Sequence, residues 1–256
     1  MRNIFLAILF CALGVSAQGV GGKAGVGGKA GLGGGATVAT GPSIVQPTSG
    51  HPLNAACAQF VSATNTCAYP VNVTSGNEAY VLIVAATSGT VGTPSCSSGT
   101  ATIGTFTAVG GGSTAGGEQQ WYRAAITGSG SCTISETFST STNVGVYPFE
   151  VSNDGGVDSG TNPVYHNSFC SGSCTGPSIT TSTANDLVLF AMMGGTTNTL
   201  SALTPYTLSG SSAGTVGNDV SWMTGNETAA SAGTITSSYS QTSGASNNQE
   251  SVLAIK

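Results

Sequence analysis

Glu136 is the first residue whose chemistry needs explaining. In the stretch CTISETF, Cys132 to Phe138, side chains alternate along an extended strand, so Cys132, Ile134, Glu136 and Phe138 share one face. A carboxylate on an apolar face is expected to hold its proton and could act as a general acid. Glycosidases work with two carboxylates flanking the scissile bond. Glu118, Glu150 and Glu227 are the available partners, but Glu118 and Glu227 read as loop residues and Glu150 as solvated. No strand carries paired glutamates. The alternative places Glu136 near a sheet edge, partly wet and paired with Arg123. No residue is assigned as catalytic, and Glu136 is the one candidate.

The opposite face of the same hairpin carries Trp121, Arg123, Thr133, Ser135 and Thr137, and Trp222 with Thr224 repeats the pattern later. A tryptophan beside hydrogen-bonding side chains could stack on a sugar ring, since it offers an apolar face and a polar N–H. Trp121, Arg123 and Trp222 are therefore the candidate ligand-binding residues. The competing expectation is that each indole packs beneath a loop or the other sheet, as tryptophans mostly do.

A glycine-rich stretch, SNDGGVDSGTNPVYHNSFCSGSC, offers Asp154, Asp158, Asn162, Tyr165 and His166. Oxygen ligands in such a loop could hold calcium, with Asp154 and Asp158 as candidates. The spacing is not that of an EF-hand, and Asp, Asn and Gly are ordinary turn residues. No metal and no cofactor are expected. His166 with either aspartate and a serine would make a hydrolytic set, but no Gly-x-Ser-x-Gly turn supports one. Asn72-Val-Thr and Asn226-Glu-Thr are glycosylation sequons, unsurprising in so threonine-rich a chain.

The elements that must position these residues come in two sets. NEAYVLIVAATSGT starts at Asn77 and NDLVLFAMMGGTT at Asn185. WYRAAITGSGSCTISETFS starts at Trp121 and WMTGNETAASAGTITSSYS at Trp222, and Thr-Ile follows each tryptophan after twelve residues. Each half closes on an apolar strand, GVYPFEV at 145–151 and ESVLAI at 250–255. Continuous apolar runs bounded by turn residues read as central strands, and the Trp segments read as hairpins. This predicts an all-β fold, a two-sheet antiparallel β-sandwich of jelly-roll type with an internal duplication. The halves span about 70–151 and 179–256, with 152–178 as the link. Strands 79–86 and 187–193 should be central, and Ile134 and Ile235 should point into the same core.

This order of strands resembles a family of Gly/Ser/Thr-rich secreted bacterial β-sandwich modules, similar to concanavalin-like jelly rolls and mostly without an established activity. The resemblance covers about residues 70–256. It implies the fold and export, and no catalytic residues.

The N-terminal segment also points to export. Arg2, the apolar run Ile4–Leu13 and the small residues Val15 and Ala17 read as a signal peptide over 1–17, cut after Ala17. Cys11 suggests a lipoprotein signal, but bulky Phe10 precedes it, so ordinary secretion that removes Cys11 is expected. Residues 18–50, opening GVGGKAGVGGKAG, read as a Gly-rich flexible spacer whose ends lie roughly 30 Å apart as a random coil. Lys23 and Lys29 could touch an acidic polymer or membrane surface. The β-sandwich domain is expected over 51–256, with no transmembrane segment in the mature chain. From His51 onward, ten acids stand against Arg123 and Lys256, a formal charge of −8, which argues against nucleic acid. The six cysteines after Cys11 allow fifteen pairings. Proximity favours Cys57–Cys67, Cys96–Cys132 and Cys170–Cys174, with zinc at CSGSC as the rival.

The expected function is an exported non-catalytic module of the cell surface or extracellular matrix, secreted or cell-surface in location. Its partner would be an extracellular glycan or cell-surface polymer. The alternatives are a carbohydrate-binding module through Trp121, Arg123 and Trp222, and a glycoside hydrolase of jelly-roll type through Glu136.

Overall fold

The computed structural model describes residues 41–61, 63–86, 91–114, 117–140, 142–158, 163–194, 198–213 and 220–256. The expected signal peptide, with Cys11, Lys23, Lys29 and Asn162, lies outside the described residues, as does the expected spacer up to residue 40. The described chain is almost entirely antiparallel strand, with one short helical turn at Ala55–Cys57. No helix among the described residues is long and apolar enough to cross a membrane.

The first ten strands are β1 (Ser43–Gln46), β2 (Ala58–Val61), β3 (Thr64–Ala68), β4 (Glu78–Ala85), β5 (Ser95–Gly99), β6 (Thr102–Ile103), β7 (Thr107–Thr114), β8 (Gly117–Gly128), β9 (Cys132–Thr137) and β10 (Thr142–Ser152). They make a main sheet in the order β1-β10-β4-β8-β6, with β2 on β10 and β7 on β8. A separate three-stranded sheet runs β3-β9-β5. The remaining strands are β11 (Val164–Thr181), β12 (Asp186–Gly194), β13 (Leu200–Thr204), β14 (Thr207–Ser212), β15 (Ser221–Ala229) and β16 (Gly233–Ile255). They form the second main sheet, β11-β16-β12-β15-β14, with β13 on β16.

The duplication is visible in the pairing. β4 lies between β10 and β8, and β12 lies between β16 and β15. The hairpin β7–β8 corresponds to β14–β15. β9 lies between β3 and β5, just as the first part of β16 lies between β11 and β13. The central strands EAYVLIVA and DLVLFAMMG are rich in β-branched, aromatic and large apolar residues, and Ala79–Ala85 and Asp186–Gly194 are buried throughout. Burial at both parities means that both faces of each main sheet are covered.

One face of each main sheet meets the other. Leu82 is in register with both Trp121 and Tyr147, so the three share a face. They join one core with Leu187, Leu189, Met193, Trp222 and Leu253 of the second sheet. The Tyr147 and Trp222 rings lie 6.2 Å apart across this seam. The outward face of the first main sheet is covered by the β3-β9-β5 layer through Cys67, Cys132, Ile134 and Phe138. The outward face of the second carries a separate core, in which Val188, Phe190, Met192 and Val252 meet Ile179, Leu200, Leu203 and Tyr239. The expected pair of sheets is therefore present, with a further layer over the outer face of each.

This layering corrects two expectations. Ile134 and Ile235 do not share a core: Ile134 is fully buried beneath the first sheet, and Ile235 is partly buried against the second. The inner faces are already occupied by each other, so each outward face needs its own cover. Segment 152–178 is also more than a link, since most of β11 lies in it, and Ser43–Gln46 of the expected spacer pairs with β10 as β1.

The cysteines close Cys57–Cys67, Cys96–Cys132 and Cys170–Cys174. The first two tie the β3-β9-β5 layer, and the third spans a bulge in β11.

Candidate functional site

Trp121 stands on β8 opposite Leu82 and is fully enclosed. Its Nε1–H donates to Ser251 Oγ on β16 at 2.7 Å, across the seam, and its ring meets Phe149 at 5.7 Å. Trp222, on β15 opposite Met193, is 1% exposed, and its Nε1 has no hydrogen-bond partner. Neither indole offers a face to solvent, so the stacking platform expected from the sequence is not formed. The expected hairpins do not form: β8 and β9 lie in different sheets, and β15 pairs with β12 and β14 and not with β16, so each tryptophan packs between the halves while Thr133, Ser135 and Thr137 stand in the outer layer.

Arg123 lies two residues along the same strand, where the seam opens. Its Nε donates to Glu78 Oε1 at 2.9 Å and its Nη2 to Asp154 Oδ2 at 3.0 Å. The guanidinium lies 5.9 Å from the Tyr80 ring centre, and Tyr80 O–H donates to Asp154 Oδ1. Burial beside these carboxylates pushes the Tyr80 hydroxyl far above its ordinary range. Arg123 pairs with these acids and not with Glu136, which points to the other side of the sheet. Asp154, one of the two calcium candidates, is thus held by Arg123, Tyr80 and the Gly156 amide.

Glu136 is 1% exposed on β9, in register with buried Asn65 on β3. Its carboxyl lies against Gly92 and Thr137, and neither oxygen has a hydrogen-bond partner of normal geometry. Burial pushes its pKa up to about 7, with the Gly92 and Thr137 amides limiting the rise. The proton expected from its apolar parity is therefore held below neutral pH. The solvated edge position is not what the structure gives, because β3 and β5 flank β9 on both sides. The neighbouring Tyr122 hydroxyl is pushed up to about 12 by its own burial and by Glu136 and Glu118. It donates to the Gly92 carbonyl at 2.8 Å.

Other carboxylates also turn inward. Glu150, expected to be solvated, is fully buried. It accepts from Gln46 Nε2, the Thr74 amide and Asn77 Nδ2. It does alternate away from Tyr147 and Phe149, but that side meets Gln46 of β1 and the segment holding Thr74 and Asn77. Glu118 and Glu227, read as loop residues, lie in β8 and β15. Asp158 is buried and accepts from the Ser182 amide and hydroxyl. Asp186 beside it has its pKa raised by burial, with Asp158 adding to the rise. The two calcium candidates thus sit in separate contacts.

The sequence reading missed Glu250. It lies inside the closing strand, fully buried, directly across from His166 on β11. His166 Nδ1 is 3.0 Å from Glu250 Oε2, and Ser168 and Tyr239 donate to Oε1. That hydrogen bond raises the imidazole pKa. The carboxylate sits between His166 and Ser168, so the histidine does not touch the serine hydroxyl as a nucleophile's base would. The available signal was the alternation His166, Ser168, Cys170 on one strand facing a lone acid in an apolar one.

Comparison of the chain with known protein families, with curated proteins and with solved structures finds no match.

Proposed function

We propose that this chain is an exported, non-catalytic β-sandwich module that works at the cell surface or in the extracellular matrix, in contact with a glycan or another surface polymer. The observation that carries this reading is where the reactive side chains spend their hydrogen bonds. Arg123 is bound to Glu78 and Asp154, His166 to Glu250, and Glu150 to Gln46 and Asn77. Each contact ties strands or loops together, and Glu136 is closed beneath the outer layer. Three disulfides fit an oxidising compartment, and a formal charge of −8 after residue 50 disfavours a nucleic-acid partner.

Fractionation of the native host tests the proposal. The protein is expected in the medium or the envelope, cleaved after Ala17, with three bridges by non-reducing mass spectrometry. Confinement to the cytoplasm with free thiols would end it.

A further inference from the structure

The outermost layer of the second half carries an ordered set of hydroxyls. Thr234, Thr236, Ser238 and Ser240 alternate along β16 with Ile235, Ser237 and Tyr239. Ser237 and Tyr239 are buried and Ile235 partly so, while Thr234, Thr236 and Ser238 are exposed. The outward hydroxyls are joined laterally to the neighbouring strands. On one side Ser178 meets Thr236 at 2.7 Å and Thr180 meets Thr234 at 2.9 Å. On the other, Ser201 meets Ser240 at 2.9 Å and Thr204 meets Ser238 at 2.7 Å. Hydroxyls therefore repeat at about 6.8 Å along β16 and from Ser178 to Thr180 of β11, and at about 4.8 Å between strands, while a bulge separates Ser201 from Thr204 on β13. Residues 173–181, 200–204 and 233–241 contain no charged side chain.

The first half places Ser and Thr in similar register. In its outer sheet Thr64 stands across from Thr137, and Ser135 stands between Thr66 and Ser95. Thr64, Thr66, Thr137 and Ser95 are exposed. Glu136, the charged residue of this layer, points inward. Because the two main sheets pack inner face to inner face, these two hydroxyl faces lie on opposite outsides of the stack.

We infer that these two faces are docking surfaces for a crystalline, uncharged polysaccharide, and that the module bridges two such surfaces. The inference rests on the exported-module reading and names its partner. A single neutral hydrogen bond exchanged with water contributes little. An isolated hydroxyl face without aromatic platforms therefore holds a soluble sugar poorly, and both tryptophans are buried elsewhere. Many weak contacts add up only when the partner is rigid and repeats its own hydroxyls, as a crystalline polymer does. Absence of charge on both faces suits a neutral partner and disfavours an anionic one. On the second-half face lateral pairing fixes the side chains beforehand, so less freedom is lost on docking there.

The test uses the mature full chain with microcrystalline cellulose and with chitin particles as probes. Wild type should sediment with at least one of them, resist displacement by the matching soluble oligosaccharide, and clump the particles. Thr236→Lys or Thr66→Lys alone should keep sedimentation and lose clumping. The double variant should lose binding at least tenfold. Thr236→Val with Thr66→Val, which keeps shape and removes hydroxyls, should weaken binding in the same direction, with unchanged circular dichroism and disulfides. Sedimentation with neither particle, or sedimentation unaffected in both double variants, would overturn the inference. So would capture of the protein by growing ice with both polysaccharides left unbound, which would assign the faces to a water lattice. An exported protein that binds neither particle sinks this inference alone. A cytoplasmic one sinks the reading beneath it.

Discussion

The two halves share one architecture and hold it together differently. In the first half the outer layer is made of short separate strands, β3, β9 and β5; Cys96–Cys132 joins β5 to β9, and Cys57–Cys67 ties β3 to the helical turn before β2. In the second half the corresponding layer is continuous with the main sheet. β11 and β16, 18 and 23 residues long, run through both layers as one ladder. Register shifts at Cys170/Gly172 and Thr175/Ser178 mark where that ladder changes course, as bulges do. Cys67 stands in register with Ile134, and in the second half Ile179 stands in register with Ile235. A three-stranded layer is marginal by itself, so it needs a tie. One half supplies the tie as sulfur bridges and the other as unbroken backbone.

The largest expected effect follows from that difference. Cys96→Ala with Cys132→Ala opens a bridge across a separation of 36 residues and should cost about 4 kcal/mol by the chain-entropy argument. Cys170→Ala with Cys174→Ala opens one across 4 residues and should cost about 2 kcal/mol. Urea unfolding of the two variants measures both, and equal losses would break the comparison.

Next come the two isoleucines. Ile134→Ala removes a fully buried side chain and should cost about 2–5 kcal/mol. Ile235, partly buried, should lose about half as much on the same change. A larger loss at Ile235, measured in the same way, would mean that the second outer layer is the tighter of the two.

The pH dependence gives a further comparison, with Glu136 in the first half and His166 in the second. Glu136 has a folded pKa of about 7, above its ordinary 4.5. Its contribution is complete below 4.5 and is lost as pH rises through 7. His166, raised above 6.5 by Glu250, contributes fully below 6.5, and that contribution is lost as pH rises through its folded value. Both groups thus lower stability as pH rises, Glu136 starting at lower pH than His166. Glu136→Gln should flatten the slope between 4.5 and 7, and His166→Gln the part above 6.5. An unchanged profile in Glu136→Gln would show that its carboxyl is wet.

Much of the fold was legible in the sequence. The runs from Asn77 and Asn185 and the equal Trp to Thr-Ile spacing marked strands that do occupy corresponding places. Pairing each cysteine with its nearest neighbour gave the same three bridges that the fold makes. Alternation placed Trp121 and Tyr122 on opposite faces, and they are. What alternation could not supply was the fate of the second face. Arg123 and the threonines of 133–137 made the Trp121 side look wet, but those threonines belong to the outer layer while Trp121 meets the other half, and nothing local announces such a partner. Glu150 misled for the same reason. Residues 164–178 hid a strand because Gly, Pro and Ser usually mark turns, and the pairing that makes them a strand comes from β16. The contacts of Arg123 were also out of reach, since its partners lie 45 and 31 residues away.

The central claim is that two equivalent halves each centre on a strand covered on both faces and paired on both edges. Hydrogen exchange followed by mass spectrometry tests it most directly, because amides in such strands open only with the whole fold. β4 over 79–85 and β12 over 187–193 should be the two slowest segments, at similar rates, with β5 and β13 much faster. Slow exchange in only one of them, with the other opening as fast as the outer layers, would contradict the claim.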